Sequence, residues 1–464
     1  MGRTGSWWIL AAVGAGTFMS ALDSSVVNVA LPAMRASFGA DVAAVQWIVT
    51  VYLLTVSATL LGFGRLGDLA GHRNVYLWGF GFFVVGSLAC AVSPSVVLLS
   101  ASRGLQAFGA AMLFANSAAI LTANFPPERR GQVLGLQATL TYLGLTVGPP
   151  LGGWLTDSFG WPSIFFINVP IGLFAIVMSR RFIPDDEPVA RAERFDYPGA
   201  LAFLVGLTGL MVALNQGHDW GWTSPLTLGL AAGAIAVLGG FVWLERHTEH
   251  PMLDLSLFVD RTFSAATVSA LLNYITVYTV VFITPFYLVL GRGLSSGRAG
   301  ALLAVQSVVM AVVAPVSGTL SDRVGSRLPA VSGMFVLAGA MVWLAALGAD
   351  APLAEVAVAL ALVGLGTGVF ISPNTSALMG AAPRTRLGIA SGVLAEARNV
   401  GMVLGVGLAG AVLTTVLGGQ EPGPHAAFFG GVRASYLIAA GVALLAAMAA
   451  SQVAAAGDSG ATAR

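Results

Sequence analysis

The sequence predicts an all-α integral membrane protein, with two bundles of six spanning helices and two further helices inserted between them. Three observations carry this reading. Of 464 residues, 56% are hydrophobic and 9% charged, with a mean hydropathy of +0.84. A water-soluble domain carries roughly 25% charged residues, so the chain lacks the polar surface that water demands. Apolar runs recur along its whole length, each long enough to cross about 30 Å of hydrocarbon. Charged residues gather in the gaps between the runs. This composition excludes a soluble multidomain enzyme and a disordered chain. One cysteine, Cys90, lies in an apolar run, which excludes a disulfide framework. A formal net charge of +1, with all 22 basic residues arginine, sets up no global field for a nucleic-acid partner.

In chain order, the predicted spans are 7–32, 43–63, 75–93, 96–122, 132–157, 163–181 and 197–215, followed by 225–244, 263–290, 299–318, 329–348, 353–376, 387–417 and 432–453. Barrel strands would alternate over about ten residues, whereas these runs are apolar on every face. The first run exceeds the roughly 7–15 apolar residues of a cleaved signal and holds an aspartate, so it reads as a span. An even count puts both termini on one side. Arg103 and Arg398 fall well inside spans; of the other 20, with those at span ends counted to the adjoining loop, the termini and even-numbered loops hold 16, and only Arg35, Arg292, Arg298 and Arg433 belong to odd-numbered loops. That bias makes the termini cytoplasmic, and the Ala-, Gly- and Arg-rich composition without lysine points to a GC-rich bacterial genome and so to a bacterial cytoplasmic membrane.

The domain plan follows. Residues 1–181 form an N-terminal six-helix bundle, 182–262 the charged cytoplasmic linkers with inserted spans 7 and 8, 263–453 a C-terminal six-helix bundle, and 454–464 a small, polar, disordered tail. The halves carry an internal repeat. After span 2 the chain reads Gly64-Arg65-Leu66-Gly67-Asp68-Leu69-Ala70-Gly71-His72-Arg73, and after span 10 Gly318-Thr319-Leu320-Ser321-Asp322-Arg323-Val324-Gly325-Ser326-Arg327. Each is a glycine-bounded turn built on an aspartate with arginines nearby. Recurrence at matching places in two halves is the mark of a repeat-built transporter. Gly64, Asp68, Gly71, Arg73, Gly318, Asp322, Arg323, Gly325 and Arg327 are therefore candidate gating residues, in which a carboxylate caps a helix or pairs with arginine to hold one state closed. The plainer reading is a charged turn that only orients the helices.

With these loops the chain resembles the major facilitator superfamily, in particular its fourteen-span drug:proton antiporters. The resemblance also rests on Leu22-Asp23-Ser24-Ser25-Val26-Val27-Asn28-Val29-Ala30-Leu31-Pro32 and Gln46-Trp47-Ile48-Val49. Further stretches are Arg103-Gly104-Leu105-Gln106-Ala107-Phe108-Gly109, Phe165-Phe166-Ile167-Asn168-Val169-Pro170, and Pro251-Met252-Leu253-Asp254-Leu255-Ser256-Leu257-Phe258. It implies a major facilitator fold and a proton-driven exporter of bulky amphipathic compounds. One departure is that Leu69 and His72 stand where that family usually places basic residues, so the first latch should be the weaker. In span 5, Gly144, Gly148 and Gly152 recur every four residues, with Pro149, Pro150 and Gly153. Small residues at that spacing let a neighbouring backbone come close, and the prolines kink the helix. The stretch resembles the superfamily's antiporter motif; a packing seam without functional meaning is the alternative.

Four charges lie well inside spans: Asp23, Arg103, Glu396 and Arg398. Each costs about 2.5–3.5 kcal/mol at mid-membrane on insertion scales, so a lipid-facing placement is disfavoured. At about 1.5 Å per residue, Asp23 lies about 24 Å from residue 7, Arg103 about 10 Å from residue 96, and Glu396 about 14 Å from residue 387. Asp23 and Arg103 can thus meet at similar depth, whereas Glu396 and Arg398, two residues apart, point to different faces. Low dielectric opposes ionisation of a carboxyl group and a nearby guanidinium favours it. A carboxylate whose hydration or arginine distance differs between two states therefore loads a proton in one and releases it in the other. Asp23 is the principal candidate for proton coupling, with Arg103 tuning it; a static ion pair is the alternative. Glu396 reads as a second proton site, a substrate-specific group or a partner for a remote arginine, and Arg398 matches an arginine of the family.

Cavity candidates are Asn28, Gln46, Trp47, Tyr52, Asn116, Gln137, Tyr142, Asn273, Tyr274, Gln306 and Asn374. An aromatic, loosely polar cavity suits large lipophilic ligands, although the same residues also mark lipid interfaces and glue helices together. The histidines suggest no metal site, and without lysine no nucleotide-binding loop is possible, so neither metal, cofactor nor ATP drive is expected. The expected partners are a small amphipathic substrate, protons and the lipid bilayer, with the chain acting as a monomer and not as an enzyme. The other functions considered are a narrow exporter of an endogenous metabolite, peptide or siderophore, and a non-transporting membrane sensor.

Overall fold

The structure is a computed structural model that describes residues 3–185, 196–248, 255–383, 387–418, 420, 423 and 426–453. The predicted disordered tail at 454–464 and most of the linker at 182–196 lie outside the described residues. Among the described residues there is no strand. The helices are α1 (Arg3–Phe38), α2 (Val42–Ala70), α3 (His72–Ala91), α4 (Val96–Asn124), α5 (Pro127–Phe159), α6 (Ser163–Phe166), α7 (Asn168–Phe182) and α8 (Tyr197–Trp220). They continue as α9 (Pro225–His247), α10 (Arg261–Phe286), α11 (Ser296–Val324), α12 (Arg327–Ala346), α13 (Leu353–Ala381), α14 (Leu387–Leu417) and α15 (Ala426–Ala450). A 3-10 turn, Leu255–Val259, precedes α10, and a π turn, Tyr287–Gly291, extends it.

Every predicted span falls on a helix, span 6 on α6 and α7 together. Among the described residues, 13 helices are long and apolar enough to cross a membrane. Helix α5 is not one of them: it has 33 residues, but its glycines, prolines, glutamines and threonines dilute its hydropathy. The predicted ends need correcting in two directions. Predicted spans 3, 11 and 14 run past their helices: the apolar Val92 and Leu347 directly follow α3 and α12, and Val453 lies three residues beyond α15, after Ser451 and Gln452. Span 1 is predicted to stop at Pro32, yet α1 continues to Phe38 with that proline inside it. One missing N–H does not end a helix that its neighbours hold in place.

Helix starts are marked by side chains that take up otherwise unpaired N–H groups. Asp41 accepts from Ala44 N at 2.6 Å, Ser95 from Leu98 N at 3.3 Å, Ser224 from Thr227 N at 3.2 Å and Asp260 from Phe263 N at 2.8 Å. Asp260→Ala is expected to lower stability by about 0.5–2 kcal/mol, read as an earlier thermal unfolding midpoint in detergent, while Asp260→Asn stays close to the unmodified protein.

Two compact units emerge. One comprises residues 1–204 with 295–301, the other 205–294 with 302–464. Within the first, α1 packs on α5, α3 on α4 and α2 on α4; within the second, α10 packs on α14 and α12 on α13. The seams match in detail. A Cβ on Gly109 would lie 2.5 Å from Gly79 O, and one on Gly366 would lie 2.7 Å from Gly333 O. Each pair thus presses backbone to backbone, α3 on α4 and α12 on α13, at equivalent places of the two units. Inserted helix α8 lies along α9, where a Cβ on Gly206 would meet Leu238 at 2.7 Å. The inserted pair also reaches α14, since Trp222 Nε1 donates to Thr415 Oγ1 at 3.0 Å.

Large apolar side chains are exposed on almost every helix, including Trp78, Val97, Phe174, Trp243 and Leu328. Water would not tolerate so continuous an apolar surface, whereas lipid requires it.

Candidate functional site

The first unit is built around Asp23, which is fully buried on α1. Arg103 on α4 donates through NH1 to Asp23 Oδ2 at 2.5 Å and to Gln106 Oε1 at 2.5 Å, and through Nε to Ile48 O at 3.3 Å. Gln106, three residues on and so on the same helix face, donates to Asp23 Oδ1 at 2.9 Å and to Ser87 Oγ at 2.7 Å. Asn168, the first residue of α7, also donates to Asp23 Oδ1, at 2.8 Å. The guanidinium lies over the Tyr52 ring, 4.0 Å from its centroid, and 5.7 Å from that of Phe165. The carboxylate therefore has donors on both oxygens, and five stretches of chain supply the cluster.

The sequence explains why these groups meet. A Cβ on Gly86 of α3 would lie 2.6 Å from the backbone N and Cα of Gln106, so this glycine brings α3 against α4 at the level of the network. Pro170 has no N–H to offer the Phe166 carbonyl, and the helix is interrupted at Ile167, which separates α6 from α7 and starts α7 at Asn168.

Glycines of the predicted antiporter motif hold α1 itself. A Cβ on Gly144 would meet Phe18 O at 2.6 Å, on Gly148 Ser25 Oγ at 1.7 Å, and on Gly152 Val26 Cγ2 at 2.3 Å. Gly153 faces another way: its Cβ would lie 2.2 Å from Ser296 O, in the segment 295–301 that belongs to the same unit. Pro149 O faces Gly300 of that segment.

The repeated loops share one device. Gly71 (φ 87°) ends α2 and Gly325 (φ 81°) ends α11, each seven residues after the first glycine of its motif. Only glycine takes this conformation without strain. Arg73 donates to Arg180 O at 3.0 Å and pairs with Asp185, so it satisfies a carbonyl at the end of α7. Arg323 and Arg327 are exposed, and Gly318 faces Ser372. The side chains of Asp68, Asp322 and Tyr142 lie outside the described residues.

The other candidates divide by environment. Asn116 is tied down, donating to Phe63 O and Met112 O and bonding His72 Nδ1 at 2.8 Å. Asn374 accepts from Ser269 at 2.8 Å and donates to Ala266 O at 2.9 Å, and Gln137 donates to Ser117 at 2.7 Å. Asn28 donates to Ser24 O, while its Oδ1 is buried without a partner among the described residues, as are Gln46 Oε1 and both polar atoms of Asn273. Gln306 is buried, and Trp47, Tyr274, Glu396 and Arg398 are half-buried. The sequence reading overlooked Gln106, Asn168 and Ser87 as site residues. The available signal was an uncharged amide three residues from an intramembrane arginine, and another two residues before a proline inside a span.

Paired seams, matched turns and a buried acid–arginine network define a membrane transporter made of two related halves. The sequence profile of the Major Facilitator Superfamily matches residues 13–266 and 266–456, and the chain belongs to that family. Among its relatives are the riboflavin transporter RibZ of Clostridioides difficile, 35% identical over 86% of this chain and 86% of that protein, and the multidrug resistance protein Stp of Mycobacterium tuberculosis, 35% identical over 88% and 76%. The tetracenomycin C resistance and export protein of Streptomyces glaucescens is 33% identical over 90% of this chain and 77% of its own length. The fold is similar to the crystal structure of a bacterial homologue of the human lysosomal transporter Spinster, with a TM-score of 0.71 at 16% identity over 98% of each chain.

Proposed function

We propose that this chain is a proton-coupled antiporter that exports amphipathic drugs or antibiotics across a bacterial cytoplasmic membrane by alternating access. The observation that carries the reading is the buried Asp23–Arg103 pair with its amide donors. Protonation of Asp23 cancels its charge and leaves Arg103 with Gln106, Ile48 O and the Tyr52 face. Proton uptake thus changes the bond between α1 and α4, which is how a chemical gradient can bias two states. A proton entering the cell releases about 2.3 kcal/mol per 100 mV of membrane potential. In this cycle the deprotonated, inward-open state takes substrate and the outward-open state releases it on protonation. The glycine seam of α5 is the antiporter element, and Glu396 is a second candidate for coupling or for substrate charge. Both termini are assigned to the cytoplasm on the arginine bias.

Drug export is favoured by the names of the Stp and tetracenomycin relatives. A narrow exporter of one metabolite is the second reading, favoured by the riboflavin relative. The test is pH-gradient-driven uptake of several cationic and neutral dyes into inverted vesicles. Asp23→Asn is expected to abolish gradient-driven uptake of every transported dye. Full uptake by that variant would overturn the coupling assignment, and a response to a single compound would favour the narrow exporter.

A further inference from the structure

We propose that Asn168 is a positioning residue that reads the protonation state of Asp23. Its amide now donates to the carboxylate; when Asp23 takes a proton, the amide turns over so that its oxygen accepts the new O–H. The inference rests on the reading of Asp23 as the coupling carboxylate and adds the group that must answer it.

The argument is one of donors and acceptors. An ionised carboxylate only accepts, whereas a carboxylic acid must also donate one hydrogen bond. As built, the site suits the ionised form: Asp23 Oδ1 receives Gln106 Nε2 and Asn168 Nδ2, and Oδ2 receives Arg103 NH1. A proton added to Oδ1 meets two N–H donors and no acceptor. The neighbouring acceptors are committed. Gln106 Oε1 holds Arg103 NH1 at 2.5 Å and lies 3.9 Å from Cys90 Sγ, and Ile48 O holds Arg103 Nε. Turning Gln106 over would bring its NH₂ against the guanidinium, donor against donor, and remove the acceptor that Arg103 NH1 uses. Asn168 Oδ1, by contrast, is buried and has no hydrogen-bond partner among the described residues.

A half-turn about the last side-chain bond of Asn168 exchanges Nδ2 for Oδ1 opposite Asp23 without moving the backbone. No covalent bond beyond the new O–H is formed and none is broken: the proton stays on Asp23, and Arg103 keeps its charge. The same turn carries the NH₂ group to the place where the unpartnered oxygen was. Once the proton leaves, the turned oxygen would face the carboxylate, acceptor against acceptor, so the turned form persists only while the proton is present.

The test is infrared difference spectroscopy on the full chain in a lipid film, recorded between neutral and acidic pH with asparagine carrying ¹³C in its side-chain carbonyl. No transported compound is needed. The expected result is a shifted labelled amide band on acidification that disappears in Asp23→Asn and in Asn168→Ser. Asn168→Ser is also expected to keep an Asp23 acid band near its unmodified position, because a hydroxyl both donates and accepts, while Asn168→Leu displaces it. An Asp23 acid band with no accompanying amide shift overturns the role of Asn168 and leaves the coupling reading standing. If unmodified protein minus Asp23→Asn shows no acid band at any pH, the coupling reading falls and this proposal with it. The labelled-amide measurement is made on unmodified protein, so it decides the matter even if Asn168→Leu does not fold.

Discussion

Arg103→Leu is expected to be the most damaging single substitution in the N-terminal half. It removes the charge facing Asp23 Oδ2 while leaving a fully buried carboxylate with two amide donors. Breaking a buried pair from one side costs about 3–5 kcal/mol, because the remaining charge has neither water nor counter-charge. A large fall in the thermal unfolding midpoint in detergent, with loss of dye export, is the expected outcome. Lysine should rescue poorly, since one ammonium cannot repeat the NH1 and Nε bonds to Asp23, Gln106 and Ile48 O together with the stack on Tyr52. The double variant Asp23→Asn with Arg103→Leu separates folding from transport: its midpoint should recover most of the loss while export stays absent. A double variant no more stable than Arg103→Leu alone would mean that the destabilisation does not come from the stranded carboxylate.

Gly144→Val is the second large effect. The added Cβ would lie 2.6 Å from Phe18 O, 3.0 Å from Ala21 Cβ and 3.0 Å from Leu22 N, and two of these three atoms are backbone. No rotamer change relieves that contact, so α1 must move away from α5. Overpacking of this kind costs about 1–3 kcal/mol. The displaced residues immediately precede Asp23, so transport should fall further than stability. Gly148→Ala is the milder change in the same seam, because its nearest obstacle is the movable Ser25 hydroxyl, with Ser25 Cβ at 2.8 Å and Leu22 O at 3.2 Å behind it. Its unfolding midpoint should fall less and its export should survive in part. Export and an unfolding midpoint close to those of the unmodified protein in Gly144→Val would argue against the seam as the reason Gly144 is needed.

The spans were legible because lipid selects for apolar length, a property that a sliding window detects directly. Their ends were less legible, because Val92, Leu347 and Val453 are apolar outside their helices and Pro32 sits inside one. The Asp23–Arg103 meeting followed from depth along two spans, since intramembrane charges are few and must be answered. Gln106 and Asn168 escaped because amides are common in spans and their partners are fixed by packing. Gly86 admits Gln106, and the interruption before Asn168 sets the start of α7. Asn116, a cavity candidate in the sequence, bonds His72, the first residue of α3, and donates to two carbonyls, partners that no sequence pattern announces.

The distance in sequence between the two central partners has a consequence for biogenesis. Asp23 and Arg103 are 80 residues apart, and at about 5–20 residues per second the ribosome takes about 4–16 s to cover that stretch. During this interval the first helix reaches the bilayer before its guanidinium exists, and Asn168 follows later still. The nascent N-terminal half therefore cannot complete its polar centre until the sixth span has been made. A chain interrupted before that point would present an unfinished acid in the membrane, a defect by which quality-control proteases could recognise it.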